Sequence, residues 1–178
     1  MRMHVFGRLS DDDNLHLKML LSSIDGILVE RGVRARSSKP LPRSVDLDVA
    51  LVPHCESMGY QHQVSFIHPK TKKGYIFDFW NYKKKIAIEI LGYRADDEVY
   101  KDILKFHVHR STKVSLMLIP RWKWISGKKS SINYLETQKA LHFAASFMNI
   151  DSMVAVYYSW VEHTKENTWK LCFPETMM

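Results

Sequence analysis

Apolar residues recur along this chain with two different periods, and the switch between them marks its organisation. Leu17, Leu20, Leu21, Ile24, Ile27 and Leu28 follow the three-to-four-residue repeat of one helical face, which predicts a helix over residues 12–31. Asp11, Asp12 and Asp13 stand at its start, where the helix dipole favours negative charge, and Gly32 follows its end. Residues 45–52 suit a short helix or a strand equally. The period then becomes two. Residues 62–68 read as a strand with Val64 and Phe66 on one face, 69–74 as a turn with three lysines, 75–80 as a second strand, 81–84 as a turn and 85–91 as a third strand. Together they predict an antiparallel meander. Residues 95–109 return to helical spacing through Val99, Ile103 and Phe106. The continuous apolar run 113–119, ended by Pro120, reads as a buried strand. A helix over 130–148, a buried strand over 153–160 and an edge strand near 169–173 complete the pattern. The expected fold class is α/β: a mixed sheet covered by helices, in the order α-βββ-α-β-α-β.

Composition narrows this to one domain. A chain of 178 residues with 46% hydrophobic residues suits a single core spanning 1–178. An aromatic content of 12%, with only 7 Gly and 6 Pro, argues against disorder. No run approaches the roughly 20 apolar residues of a membrane span, and residues 1–14 lack the apolar segment of a secretory signal. Cys55 and Cys172 lie far apart and no CxxC occurs, so a structural zinc site is not expected. Two reduced thiols in a cytoplasmic protein are the expectation. His107 and His109, two apart on a helix, point to different sides and read as structural or surface groups.

Charge adds a class of partner. Lys and Arg number 26 against 19 Asp and Glu, a formal charge of +7, which favours a polyanion. The excess is concentrated in loops. A basic loop over 32–44 carries Arg34, Arg36, Lys39 and Arg43 without an acid. Lys70, Lys72 and Lys73 occupy the first meander turn, and Lys83, Lys84 and Lys85 the second. Arg121 and Lys123 alternate with Trp122 and Trp124 after the buried strand. Any one cluster fits a solvated loop. Together they fit phosphate contacts around a cleft, with Arg34, Arg36, Lys39, Arg43, Lys72, Lys73, Lys83, Lys84, Arg121 and Lys123 as the candidates.

Two acids interrupt apolar strands. Asp78 lies within Tyr75-Ile76-Phe77-Asp78-Phe79-Trp80, and Glu89 within Ile86-Ala87-Ile88-Glu89-Ile90-Leu91. Burying a carboxylate is costly unless it is paired or binds a metal. A turn at 81–84 places Asp78 on the same side as Ala87, Glu89 and Leu91, with the two acids cross-strand neighbours. Carboxylates so spaced suit a divalent cation.

This stretch resembles the core of the PD-(D/E)XK nucleases and is most similar to the Bgl/BstY type of type II restriction endonuclease. There an Asp-Phe strand runs into a strand of the form apolar-Glu-apolar-Gln. The resemblance covers about 59–160, through the order of the elements that follow. It implies a restriction-endonuclease-like core with helices on both sides, and a metal-dependent endonuclease hydrolysing double-stranded DNA. Mg²⁺ or Mn²⁺ would be held by Asp78, Glu89 and the backbone carbonyl of Ile90, and a homodimer would cut both strands. One position departs from the pattern: Leu91 stands where the superfamily has lysine and the Bgl/BstY group a polar residue. Lys85, Lys101 and Lys105 are the candidates to replace that lysine. The alternative is a catalytically inactive nucleic-acid binder on the same fold, similar to RNA-associated RAP domains. A third possibility is a purely structural domain whose buried acids are satisfied by the turn lysines.

Overall fold

Alternating and continuous apolar runs share one need, a partner strand for their backbone groups, and they meet it in a single sheet. The computed structural model describes residues 1–31, 41–92, 95–125, 128–132, 134–146 and 151–174, without the side chains of 95–98, 122–125, 128–132, 134–136 and 145. In chain order the elements are β1 (Met3–Gly7), α1 (Asp11–Ile24), β2 (Leu28–Glu30), α2 (Ser44–Ser57), β3 (Gln61–Ile67), β4 (Gly74–Asn81) and β5 (Ile86–Ile90). Then follow α3 (Ala95–Val108), β6 (Val114–Pro120), β7 (Trp122–Ile125), β8 (Lys128–Ile132), α4 (Tyr134–Ala145), β9 (Ser152–Glu162) and β10 (Thr168–Cys172).

The main sheet has eight strands in the order β2-β10-β9-β6-β5-β4-β3, with β1 also paired to β9. The meander β3-β4-β5 is antiparallel. β5, β6 and β9 run parallel, joined through α3 and α4. Helices cover both faces. Leu17, Leu20 and Leu21 of α1 and Leu47 and Leu51 of α2 pack on Phe79, Ile86, Ile88 and Ile90. Ile103 and Phe106 of α3 and Leu141 and Ala144 of α4 pack on Phe77, Trp80, Ala87, Leu91 and Met117. The parallel strands are apolar throughout because both of their faces are buried. Among the described residues no helix is long and apolar enough to cross a membrane.

The boundaries differ from the sequence expectation where tertiary pairing overrides local periodicity. The first helix ends at Ile24 rather than near 31. Gly26, at φ +83°, turns the chain and donates its N–H to the Leu171 carbonyl at 2.8 Å. Residues 28–30 then pair with β10 as an edge strand. The undecided run 45–52 is helical, with Arg43 as N-cap of α2 and its backbone N–H bonded to Asp46 at 2.8 Å. The last helix starts only at Tyr134, because 128–132 pair back onto 122–125 as a β7–β8 hairpin. β1 was not expected, since five residues are too few to show a period.

β1 ends on a constraint that a substitution tests. Gly7 has φ +98°, and a Cβ there would lie 2.3 Å from the backbone oxygen of Asp151. Gly7→Ala is expected to destabilise the fold by about 1–3 kcal/mol, read as a lowered urea midpoint. An unchanged midpoint would contradict the pairing of β1 with the start of β9.

Candidate active site

β4 and β5 pair Phe79 with Ile88, Trp80 with Ala87 and Asn81 with Ile86. Continuing that register sets Asp78 level with Glu89, as the turn at 81–84 implies. The ladder stops at this point. Asp78 Oδ2 accepts the Ile90 backbone N–H at 2.7 Å, a donor that a longer ladder would pair with a β4 carbonyl. On the β3 side, His62 pairs with Phe79 and Val64 with Phe77, while Gln63 between them sits at φ +50°. Side-chain alternation slips here as well: Phe77 and Trp80 pack toward α3, and Phe79 toward α2. Asp78 therefore does not share a face with Ala87 and Leu91. It lines a cleft of about 170 Å³ with Ser44, Val45, Asp48, Gln63 and Ile90.

Glu89 turns to α3. It is 2% exposed, and its Oε2 accepts from Lys105 Nζ at 2.7 Å. The same ammonium meets Asp102 Oδ1 at 2.8 Å, one helical turn earlier. The side chains α3 presents here are thus an acid and a base three residues apart, the spacing that puts both on one helix face. Glu89 Oε1 is buried with no hydrogen-bond partner among the described residues. On the other side of the sheet, Asp48 Oδ2 bonds His62 Nε2 at 2.8 Å and the Gln63 amide at 3.4 Å, while its Oδ1 is likewise buried without a partner.

Burial dominates the electrostatics. It pushes Asp78 up to about 6, with Asp48 adding to the rise and the Ile90 N–H and Lys105 opposing it. Burial, then the charges of Asp102 and Asp78, raise Glu89 well above the carboxylate range. Asp102 is raised by burial against the pull of Lys105. Burial opposes the charge of Lys105, but Glu89 and Asp102 outweigh it and hold the ammonium above the ordinary lysine range. Lys105 therefore stays protonated while the acids around it resist ionising.

The other expected residues distribute unevenly. Lys85 lies in the β4–β5 turn at φ +56°, exposed, at the opposite end of β5 from Glu89. Lys83 and Lys84 share that turn, and Lys84 pairs with Asp12. Successive turns of a meander lie at opposite ends of a sheet, so the two lysine turns stand on opposite sides of Asp78, which is four residues from Gly74 and three from Asn81. The turn that carries Lys72 and Lys73, both exposed, lies beyond the end of β5 that Glu89 adjoins. Lys101 is exposed and reaches Asp102 only by charge. The Arg43 guanidinium is forked onto Asp46 at 3.0 and 2.9 Å. Arg121 is half-buried, with its N–H on the Tyr158 carbonyl at 2.8 Å. Arg34, Arg36 and Lys39 lie outside the described residues, as does the side chain of Lys123 on β7. Leu91 is fully buried in the α3-side core, so no polar group replaces the motif lysine at that position.

Asp48 and Asp102 were not expected. Each carried a signal, an acid on the apolar stripe of its own helix: Asp48 beside Leu47, Leu51 and Cys55, and Asp102 between Val99, Ile103 and Phe106.

The donor set suits a hard divalent cation. Glu89 and Asp102 share the Lys105 ammonium, and Asp78, which that ammonium reaches only by charge, adds a third carboxylate on the neighbouring strand. Glu89 Oε1 is buried with no hydrogen-bond donor among the described residues, while Asp102 is hydrogen-bonded to the same carboxyl group. Among the described residues no three His, Cys, Asp or Glu side chains stand close enough to share an ion as placed.

The raised Asp78 makes stability depend on pH. A carboxyl whose folded pKa lies above its unfolded value favours the fold at low pH and loses that contribution as pH rises through the folded pKa. Asp78→Asn, which keeps an acceptor for Ile90, is expected to gain nothing near pH 4. In metal-free buffer at pH 8 it should be more stable than wild type by on the order of 2–3 kcal/mol. Urea midpoints at the two pH values check this, and a variant equally stable or weaker at pH 8 would contradict it.

No curated protein sequence matches this chain. Among solved structures, the fold is similar to restriction endonuclease BglII complexed with a DNA 16-mer, with a TM-score of 0.55 and 12% identity over 95% of this chain and 87% of that one. Free BglII is matched at a TM-score of 0.45 and 12% identity, over 96% of this chain and 94% of that one. The family model described as "Putative halobacteria restriction endonuclease" matches residues 12–158. With the core strands, the buried acids and all four helices falling wholly or almost wholly inside that match, the chain belongs to this family of restriction-endonuclease-like nucleases.

Proposed function

We propose that this protein is a metal-dependent endonuclease that hydrolyses phosphodiester bonds of double-stranded DNA, acting as a type II restriction endonuclease. The observation that carries the reading is the buried Glu89–Lys105–Asp102 cluster on β5 and α3, with Asp78 tied by the Ile90 N–H to the strand that bears Glu89. Buried acids clustered at a cleft, with strongly shifted proton affinities, are the mark of a site rather than of packing. BglII, of similar fold, was solved on DNA.

Asp78, Glu89 and the Ile90 carbonyl would hold the metal. A divalent cation there supplies Lewis-acid polarisation of a phosphodiester and lowers the pKa of water. Asp78 is aimed by its bond to the Ile90 N–H, which also ties the carboxylate to the strand bearing Glu89. Lys105 takes the part of the motif lysine. An ammonium has three N–H donors; two are engaged by Glu89 and Asp102, which leaves a third for a phosphate oxygen. Its raised proton affinity keeps that positive charge in place as negative charge develops on the phosphate. One such site serves one strand, so cutting both strands calls for a homodimer.

The reading is tested with a mixed-sequence plasmid and a short duplex library in Mg²⁺ or Mn²⁺. Wild type should nick or cut, and chelation should stop it. Asp78→Ala and Glu89→Ala should abolish cleavage, and Lys105→Gln should slow it about 10²–10³-fold with folding intact by circular dichroism. Metal-independent behaviour, the same in wild type and Asp78→Ala, would overturn the proposal. Salt-dependent binding without any cleavage would instead favour an inactive binder.

A further inference from the structure

A second cleft, about 140 Å³, lies between the β3–β4 turn and the C-terminal end of α3, lined by His68, Pro69, Lys70, His107, Val108 and Arg110. Four of these six residues are basic or imidazole, and none is acidic. His107 and Arg110 sit where the helix dipole itself favours cations, which accounts for that wall. It does not account for His68 and Lys70, which reach the same space from a different element.

Both walls are held. The His68 N–H bonds the Lys73 carbonyl at 2.9 Å, and the Lys72 N–H bonds the His68 carbonyl at 3.0 Å. The Thr71 backbone N–H donates to His68 Nδ1 at 3.0 Å. That bond uses Nδ1 as the acceptor and turns Nε2 outward as a donor. Behind the cleft the His109 ring packs edge-on against Phe66 at 4.7 Å and Phe77 at 5.1 Å, locking the end of α3 to β3 and β4. A fixed imidazole with exposed cations converging on it from two elements, and no acid among the lining residues, suits an anion.

The place fits as well as the chemistry. The β3–β4 turn lies beyond the C-terminal end of β5, the end that Glu89 adjoins. Gly74, where β4 leaves the turn, is four residues from Asp78, about 13 Å along a strand. That is on the order of four nucleotide steps along a duplex. We propose that this cleft is a phosphate-binding site that grips the duplex DNA backbone a few nucleotides from the cutting site. The choice of partner rests on the endonuclease reading.

The test is the salt dependence of binding to a fluorescent 24-base-pair duplex in chelator, so that nothing is cut. Two double variants lose the same charge, from +7 to +5: Lys70→Ala/Arg110→Ala at the cleft, and Lys18→Ala/Lys170→Ala on exposed positions of α1 and β10. The cleft pair should reduce the slope of log affinity against log salt by about 2, close to 0.9 for each phosphate released, and weaken binding at 100 mM salt about tenfold or more. The distant pair should change the slope by less than half as much. Equal changes in both pairs, or none, would overturn the proposal. Inorganic phosphate titrated by NMR separates a free-ion site: shifts at His68 and His107 with an unaltered duplex slope would also overturn it. If wild type cuts duplex but the slope ignores Lys70 and Arg110, the cleft alone fails. If the slope depends on the cleft but no cutting occurs with metal, the endonuclease reading alone fails. A wild type that does not bind duplex removes both.

Discussion

Two carboxylates drawn out of water onto a single ammonium, with a third buried on the neighbouring strand, set the terms for the rest of this molecule. Glu89 and Asp102 both lean on Lys105, and Asp78 is held by one backbone N–H at the point where β4 and β5 separate. An arrangement with this much buried negative charge costs stability at neutral pH, and folding alone gives no reason to keep it. The surrounding structure meets the cost. Fully apolar β5, β6 and β9 are sandwiched between two helical layers, and the rigidity of that core allows one sheet position to be spent on charge.

The way the acids are presented follows from a break in a regular element. A continuous β4–β5 ladder would leave Asp78 and Glu89 stacked on one face beneath α3. Instead the ladder ends at Phe79, Gln63 takes a left-handed backbone conformation opposite Asp78, and the alternation slips. Asp78 then opens onto the cleft beside α2 while Glu89 stays under α3. Leu91 fits the same geometry. Its side chain fills the α3-side core, and the ammonium that lies against Glu89 is carried by the next element, on Lys105 of α3.

The architecture was legible in the sequence wherever a period ran long enough. The meander, the two buried strands and the helix over 95–109 are found close to where the pattern puts them, because a buried face forces its own repeat. The failures have two causes. The strand over 28–30 and β1 are set by partners distant in sequence, Lys170 and Val156, which no local window contains; the β7–β8 hairpin is local, but Lys128–Ile132 is mostly polar and shows no apolar period. At the site, Asp78 and Glu89 stood out because an acid inside an apolar strand has no cheap explanation. Lys105 was one of three lysines that the sequence left open, and only the packing of α3 on β5 separates it from exposed Lys101 and from Lys85 at the far end of the strand. Asp48 and Asp102 passed unnoticed because an acid on a helix is ordinarily a surface residue; only a close look at the apolar stripe marks them as buried.

On the proposed reading these acids form a metal site that acts on DNA. A crystal structure of the protein with duplex DNA and Ca²⁺ tests it most directly. The expected result is an ion held by Asp78, Glu89 and the Ile90 carbonyl, with a backbone phosphate against it and the Lys105 ammonium turned to that phosphate. An ion elsewhere, or duplex bound with Glu89 and Asp102 still closed on Lys105 and no phosphate near them, would contradict it.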